Sequence, residues 1–137
     1  MNNLLLKPLG KTGLIHNITP KSAGWKYVGM AIHLLNEGQE ISGSTLDNEV
    51  IIVIIEGKTA IKVGDLDFGI LGNRMNLFER LAPHAVYAPN KSDWSCKASS
   101  KCTIAICSAP GIGNYSARLL SQPTLTQRGK GSNTRFI

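Results

Sequence analysis

The stretch Val50-Ile51-Ile52-Val53-Ile54-Ile55 is β-branched at every position and runs directly into Glu56-Gly57-Lys58. β-Branched side chains lose rotamer freedom in a helix and pack well on a pleated surface. Six residues is the length of a strand and far short of the ~18 apolar residues of a membrane span. The run therefore predicts a strand buried on both faces, followed by a turn. Thr59 to Val63 then alternates and reads as the second arm of a hairpin. Working outward, Tyr27 to Leu35 places Val28, Met30, Ile32 and Leu34 on one parity. Gly64-Asp65-Leu66-Asp67 predicts a turn before Phe68 to Leu71. Met75 to Phe78, Ala85 to Ala88, Trp94 to Lys97 and Thr103 to Cys107 predict further strands. Gly72-Asn73, Pro83-His84, Pro89-Asn90 and Ser99-Ser100 separate them with turn chemistry. No window of ten residues holds a 3.6-residue apolar period unbroken by Gly or Pro. Ser116 to Ser121 has room for one helical turn. Short strands at regular spacing indicate an all-β sandwich or barrel.

The 137 residues make one domain, and a 42% hydrophobic content supplies its core. The N-terminus, Met-Asn-Asn-Leu-Leu-Leu-Lys-Pro, lacks the basic start and apolar core of a secretory signal. The net charge of +6 lies wholly after Asp93, in Lys97, Lys101, Arg118, Arg128, Lys130 and Arg135. Those charges are dispersed and lack interleaved aromatics, which argues against a nucleic-acid surface. Cys96, Cys102 and Cys107 are odd in number with no Cys-x-x-Cys, the pattern of buried free thiols in a cytoplasmic protein. Neither nucleic acid nor membrane is expected as a partner.

Chemistry-bearing motifs are sparse. His16, His33 and His84 never share a spacing that aims two imidazoles at one metal. Asp65 and Asp67 share a parity but sit in a turn. Gly111-Ile112-Gly113 lacks the third glycine and the strand-then-helix setting of a dinucleotide loop, and Gly129-Lys130-Gly131-Ser132 lacks the full phosphate-loop spacing. The residues by themselves name no catalytic group.

The strand pattern resembles a cupin, a double-stranded β-barrel or jelly roll. Gly38 and Gly57 fit the ends of the first cupin motif without gaps, which places Ser44, Leu46 and Val50 at ligand positions. Anchoring the second motif on Pro89 puts Pro83, Lys91 and Trp94 at its first glycine, second glycine and histidine. Leu46 and Val50 have no coordinating atom, and the Trp94 indole only donates. The resemblance thus implies a barrel whose four metal ligands are gone, with a lumen filled by Leu46, Val50, Ile52, Ile54 and Trp94.

A closer resemblance is to the bacterial 5-deoxy-glucuronate isomerases of myo-inositol catabolism. It is carried by Ser22-Ala-Gly-Trp-Lys-Tyr-Val-Gly29, Phe68-Gly-Ile-Leu-Gly72, Ala85-Val-Tyr-Ala-Pro89, Cys107-Ser-Ala-Pro-Gly111 and Arg128-Gly-Lys-Gly-Ser-Asn-Thr-Arg135. That family consists of two-cupin proteins about twice this length. The resemblance implies that residues 1–127 are the first cupin and that 128–137 are a basic linker and the start of a second. It implies an aldose–ketose isomerase whose divalent metal, zinc, is held by the second cupin. This chain then has no catalytic residue, no metal ligand, no assigned substrate-binding residue and no activity alone. The expected partner is a second copy of the chain or a chain supplying the second cupin. The alternative is a stand-alone, metal-free cupin acting as a sugar-binding or interaction module.

With Ser44, Leu46, Val50 and Trp94 at the ligand positions, protein purified without chelator should carry far less than one transition-metal ion per chain. Elemental analysis checks this. About one zinc per chain, lost on mutating interior residues, would contradict the reading of the four positions.

Overall fold

The computed structural model describes residues 5–120, 127–130 and 135–136. Almost all regular structure is β. The strands are β1 (Gly13–Ile18), β2 (Gly29–Leu35), β3 (Glu40–Ser44), β4 (Asn48–Glu56), β5 (Thr59–Val63), β6 (Leu66–Leu71), β7 (Ala85–Ala88), β8 (Asp93–Ala98), β9 (Cys102–Pro110) and β10 (Arg118–Leu120). Two short strands, β11 (Gln127–Arg128) and β12 (Arg135–Phe136), pair with each other. A single turn of helix, α1 (Pro20–Ala23), sits between β1 and β2. Thr19 caps it reciprocally with Ser22, and Gly24 closes it in the left-handed region at φ +68°. Among the described residues no helix is long and apolar enough to cross a membrane.

Two antiparallel sheets face each other. One has six strands in the order β1-β2-β9-β4-β7-β10, and the other has four in the order β3-β8-β5-β6. Between them lie Val50, Ile52 and Ile54 of β4, Val86 and Ala88 of β7, and Ile104 and Ile106 of β9. From the four-stranded sheet come Ile61, Val63, Leu71, Cys96 and Ala98. This is the jelly-roll arrangement of a cupin, although the hydrogen-bonded ladders remain two sheets and do not close into a continuous barrel.

The β4 run behaves differently from its expected two-sided burial. Val50, Ile52 and Ile54 are sealed, whereas Ile51 is 38% exposed and Val53 and Ile55 are only half-buried. The second sheet covers one face of β4, and nothing among the described residues forms a layer over the other. The expected hairpin of Val50–Ile55 with Thr59–Val63 does not form either. β4 pairs with β7 and β9, while β5 pairs with β6 and β8. The bend at Gly57 instead carries the chain from one sheet to the other.

That crossing is tight. Gly57 has φ +85°, and a Cβ there would collide with the Lys101 carbonyl. Gly72, at φ +118°, lies equally close to the Gly57 carbonyl. Three crossings between the sheets therefore meet backbone to backbone at one corner. Arg74 ties the corner down, its Nε donating to the Ile55 carbonyl at 2.6 Å and its Nη1 to that of Leu81 at 3.1 Å. These bonds hold residues 72–84 as an irregular loop, so the strand expected over Met75–Phe78 is absent and Phe78 is 91% exposed. The helical turn expected over 116–121 is β10 as far as Leu120, paired with β7; Ser121 lies outside the described residues. The ends of the basic segment, Arg128 and Arg135, pair in the β11–β12 ladder instead of forming an open connector. Residues 131–134 and 137 lie outside the described residues.

Gly57→Ala should cost about 3 kcal/mol or more, because left-handed strain of ~1 kcal/mol adds to a backbone collision that nothing flexible can relieve. Gly38→Ala is the control. Gly38 has a similar φ of +83° with nothing within 4 Å of the added Cβ, so only the ~1 kcal/mol strain applies. Urea unfolding of the two variants checks the difference.

Candidate functional site

The four positions read as vacated metal ligands do not converge. Ser44 ends β3 on the exposed side. Leu46 follows in a tight turn at φ +52° and is 68% exposed, so it is not part of the interior filling expected of it. The turn is closed by the Asn48 N–H donating to the Thr45 carbonyl at 2.9 Å. It is the intervening Thr45, only 2% exposed, that points inward. Its Oγ1 donates to the Pro89 carbonyl at 2.8 Å and accepts from the Ser92 N–H at 2.9 Å. A period-2 strand that presents Ile41 and Gly43 to the core must present Thr45 there too and turn Ser44 and Leu46 away. Only Val50 and Trp94 of the four face the interior. The Trp94 indole lies across Gly43, where an added Cβ would come within 2.8 Å of Cζ2. Val50, Ile52 and Ile54 are packed as expected, with Trp94 against them.

The interior does not suit a zinc ion. Its donors of the right kind among the described residues include the thiols of Cys96 and Cys102, both fully buried, and the half-buried His33, in register with the inward-facing Ile104. Burial, with the nearby Cys102 adding, pushes the Cys96 thiol up to about 12, and burial pushes Cys102 up to about 11. No group of three or more His, Cys, Asp or Glu side chains suited to a metal occurs among the described residues. His33 sits half-buried on β2, and burial lowers its pKa. His84 is part of the corner loop, its Nδ1 accepting from the Gly72 N–H at 2.9 Å. Asp67 forms a surface ion pair with Lys62 at 3.5 Å and accepts from the Gly69 N–H, which places the Asp65–Asp67 turn in solvent. Ile112, between Gly111 and Gly113, is exposed.

Sequence reading missed the feature on the outer side of the six-stranded sheet. A cleft of about 170 Å³ is lined by Val28, Gly29, Glu49, Ile51, Cys107, Ser108 and Ala109. Gly29 and Ser108, in register with each other and with the inward-facing Val50, turn their side-chain positions to the other face of the sheet. Glu49 Oε2 accepts from the Tyr87 hydroxyl at 3.0 Å. Burial first, then this carboxylate, raises the Tyr87 pKa and keeps the phenol a donor. Apart from Glu49 the lining is backbone, apolar side chain or thiol. The cleft therefore suits an apolar group better than a polar substrate. The sequence signal was Glu49 itself, on the same parity as Ile51, Val53 and Ile55.

The fold has solved counterparts. The cupin domain of Schizosaccharomyces pombe Cnp3 superposes with a TM-score of 0.51 over 72% of this chain and 59% of that one, at 14% identity, which speaks to fold alone. An IolB-like protein from Salmonella typhimurium LT2 superposes far better, with a TM-score of 0.93 and 35% identity over 98% of this chain and 52% of that one. The KduI/IolB family model matches residues 4–137. The chain belongs to the KduI/IolB family. Within that family, the 5-deoxy-glucuronate isomerase of Geobacillus thermodenitrificans is 36% identical over 127 residues, covering 91% of this chain and 46% of that protein. The chain thus spans about half the length of the curated relatives it matches.

The raised thiol values of this KduI/IolB chain make its stability pH-dependent. A thiol whose folded pKa lies above its unfolded value of 9.0 stabilises fully below pH 9 and progressively less as pH rises toward the folded value. Moving from pH 8 to pH 10.5 should cost about 2 kcal/mol for each of Cys96 and Cys102. Urea unfolding under reductant measures this. Cys102→Ala should remove about half of the thiol-linked loss, other titrations being common to both proteins.

Proposed function

We propose that this chain is the N-terminal cupin half of an aldose–ketose isomerase that converts 5-deoxy-glucuronate to 5-dehydro-2-deoxy-gluconate in cytoplasmic inositol catabolism. The observation that carries the reading is the match of nearly the whole chain to about half of relatives named 5-deoxy-glucuronate isomerase. The reaction moves a hydrogen between C1 and C2 of an open-chain sugar acid. It needs a base to carry the proton and an electrophile to hold the enediolate charge.

The physical character of this half favours a structural role. Val50, Ile52, Ile54, Cys96 and Ile104 pack together in the space between the sheets, an apolar setting that suits a sugar acid poorly. Burial holds the Cys96 thiol protonated, and Thr45 is committed to the backbone of Pro89 and Ser92. The base, the electrophile and the divalent metal, zinc, then belong to the other half of the enzyme, and this half supports it.

Ketose formation from 5-deoxy-glucuronate should be at background with this chain alone. It should appear when a chain supplying the other half is added. Turnover by this chain alone would overturn the assignment of the chemistry to the other half. Saturable binding of the uronic acid by this chain without turnover in any mixture would favour a sugar-binding module.

A further inference from the structure

The loop of residues 72–84 joins β6 to β7, and one side chain holds its two ends together. His84 Nδ1 accepts from the Gly72 N–H at 2.9 Å. Backbone bonds anchor both arms to the end of β4: the Ile54 N–H donates to the His84 carbonyl at 3.0 Å, and the Gly57 N–H donates to the Arg74 carbonyl at 2.9 Å. Between its ends the loop folds on itself, the Met75 N–H donating to Glu79 Oε1 and the Phe78 N–H to Asn76 Oδ1. A compact surface loop with adjoining ends and its own internal bonds is an Ω-loop. This one carries Met75, Leu77, Phe78 and Leu81 to the surface, all exposed.

The closing bond works in one protonation state only. An imidazole nitrogen that accepts from an N–H carries no proton, so the single proton of His84 sits on Nε2. Nε2 is buried without a hydrogen-bond partner among the described residues. Protonating Nδ1 sets two N–H groups against each other across 2.9 Å, and the far nitrogen has no acceptor to offset that loss. Among the described residues no ion pair joins a carboxylate to His84. The charged and titratable groups on the surrounding elements are engaged elsewhere. Glu56 of β4 takes the Thr103 hydroxyl, Glu79 takes the Met75 N–H, and Arg74 donates to the Ile55 and Leu81 carbonyls. Asp67 of β6 pairs with Lys62, and Tyr87 of β7 lies on the outward parity, bonded to Glu49. Burial holds the Cys102 thiol at the Gly57 corner protonated. Arg80 of the loop and Lys58 and Lys101 of the corner are cations.

We propose that His84 is an acid-operated clasp: its bond to Gly72 closes the 72–84 loop at neutral pH and releases it when the imidazole is protonated, while the two sheets stay folded. Local opening of this kind is separable from global unfolding, because the core side chains between the sheets do not depend on the loop. The clasp involves neither substrate nor a second half, so its test is independent of ketose formation.

Hydrogen exchange of the full chain reads the clasp directly. His84→Asn places an amide oxygen where Nδ1 stands and cannot titrate. At about pH 7.5 the unmodified chain and His84→Asn should protect the Gly72 N–H alike. At about pH 5, below the ordinary imidazole range, the unmodified chain should exchange that N–H roughly 10-fold faster than His84→Asn. The residues flanking Gly72 are the same in both proteins, and so are His16 and His33, so the difference belongs to His84. His84→Phe, a ring without an acceptor, should exchange fast at both pH values. Because a variant can fail to fold, the unmodified chain supplies a second readout. Its imidazole nitrogen spectrum at about pH 7.5 should show the His84 proton on Nε2. On acidification the 72–84 loop should lose protection relative to its intrinsic rate, while Ile52–Ile54 of β4 and Ile104–Ile106 of β9 keep theirs. Equal exchange of Gly72 in the unmodified chain and His84→Asn at pH 5 overturns the proposal. So does a proton on Nδ1 at pH 7.5, or a loss of protection in β4 and β9 that accompanies the loop.

Discussion

Contact between the inner faces of the two sheets is the interaction on which everything else in this molecule depends. Ile52, Ile54, Ile61, Val86 and Ile104 are excluded from water entirely or nearly so, and each contributes roughly 1.5–3 kcal/mol of burial. These side chains fill the centre of the space between the sheets. The Trp94 indole packs on this core and lies over Gly43.

The sheets can approach only because the backbone turns between them without side chains in the way. Gly57 and Gly72 meet at the corner, with the Lys101 carbonyl against Gly57. Arg74 and the Gly72–His84 bond then fix the loop that leaves it. A second constraint operates at the other end of β4, where Thr45 satisfies two backbone groups of the 89–92 turn from a buried position. Buried polar groups without such partners cost about 1–3 kcal/mol. The inward turn of Thr45 therefore decides the outward turn of Ser44 and Leu46.

With the interior closed, the molecule's capacity for recognition moves to the surface. The outer side of the six-stranded sheet carries Ile51 and Val53 between the hydrogen-bonded pairs Glu49–Tyr87 and Glu56–Thr103. That fits a chain spanning about half the length of its curated relatives in the KduI/IolB family.

Much of this was legible in the sequence. The β-branched run at Val50–Ile55, the alternation at Thr59–Val63 and the short segment Ala85–Ala88 each encode a strand through local propensity and period. The long motifs around Trp25, Pro89 and Arg128 carried the family. Which residues stand at the motif positions was not readable, because Leu46 turns out to solvent and Thr45 turns in. What the sequence could not decide was partnership. Whether β4 pairs with β5 or with β7 and β9 depends on the Gly57 corner, a contact with Lys101 more than forty residues away. The strands Gly13–Ile18 and Glu40–Ser44 have weak local patterns and exist because β2 and β8 pair with them. Which side of β4 is covered follows from where the second sheet lies. Local periodicity fixes which residues share a face, but only long-range packing determines which face meets water.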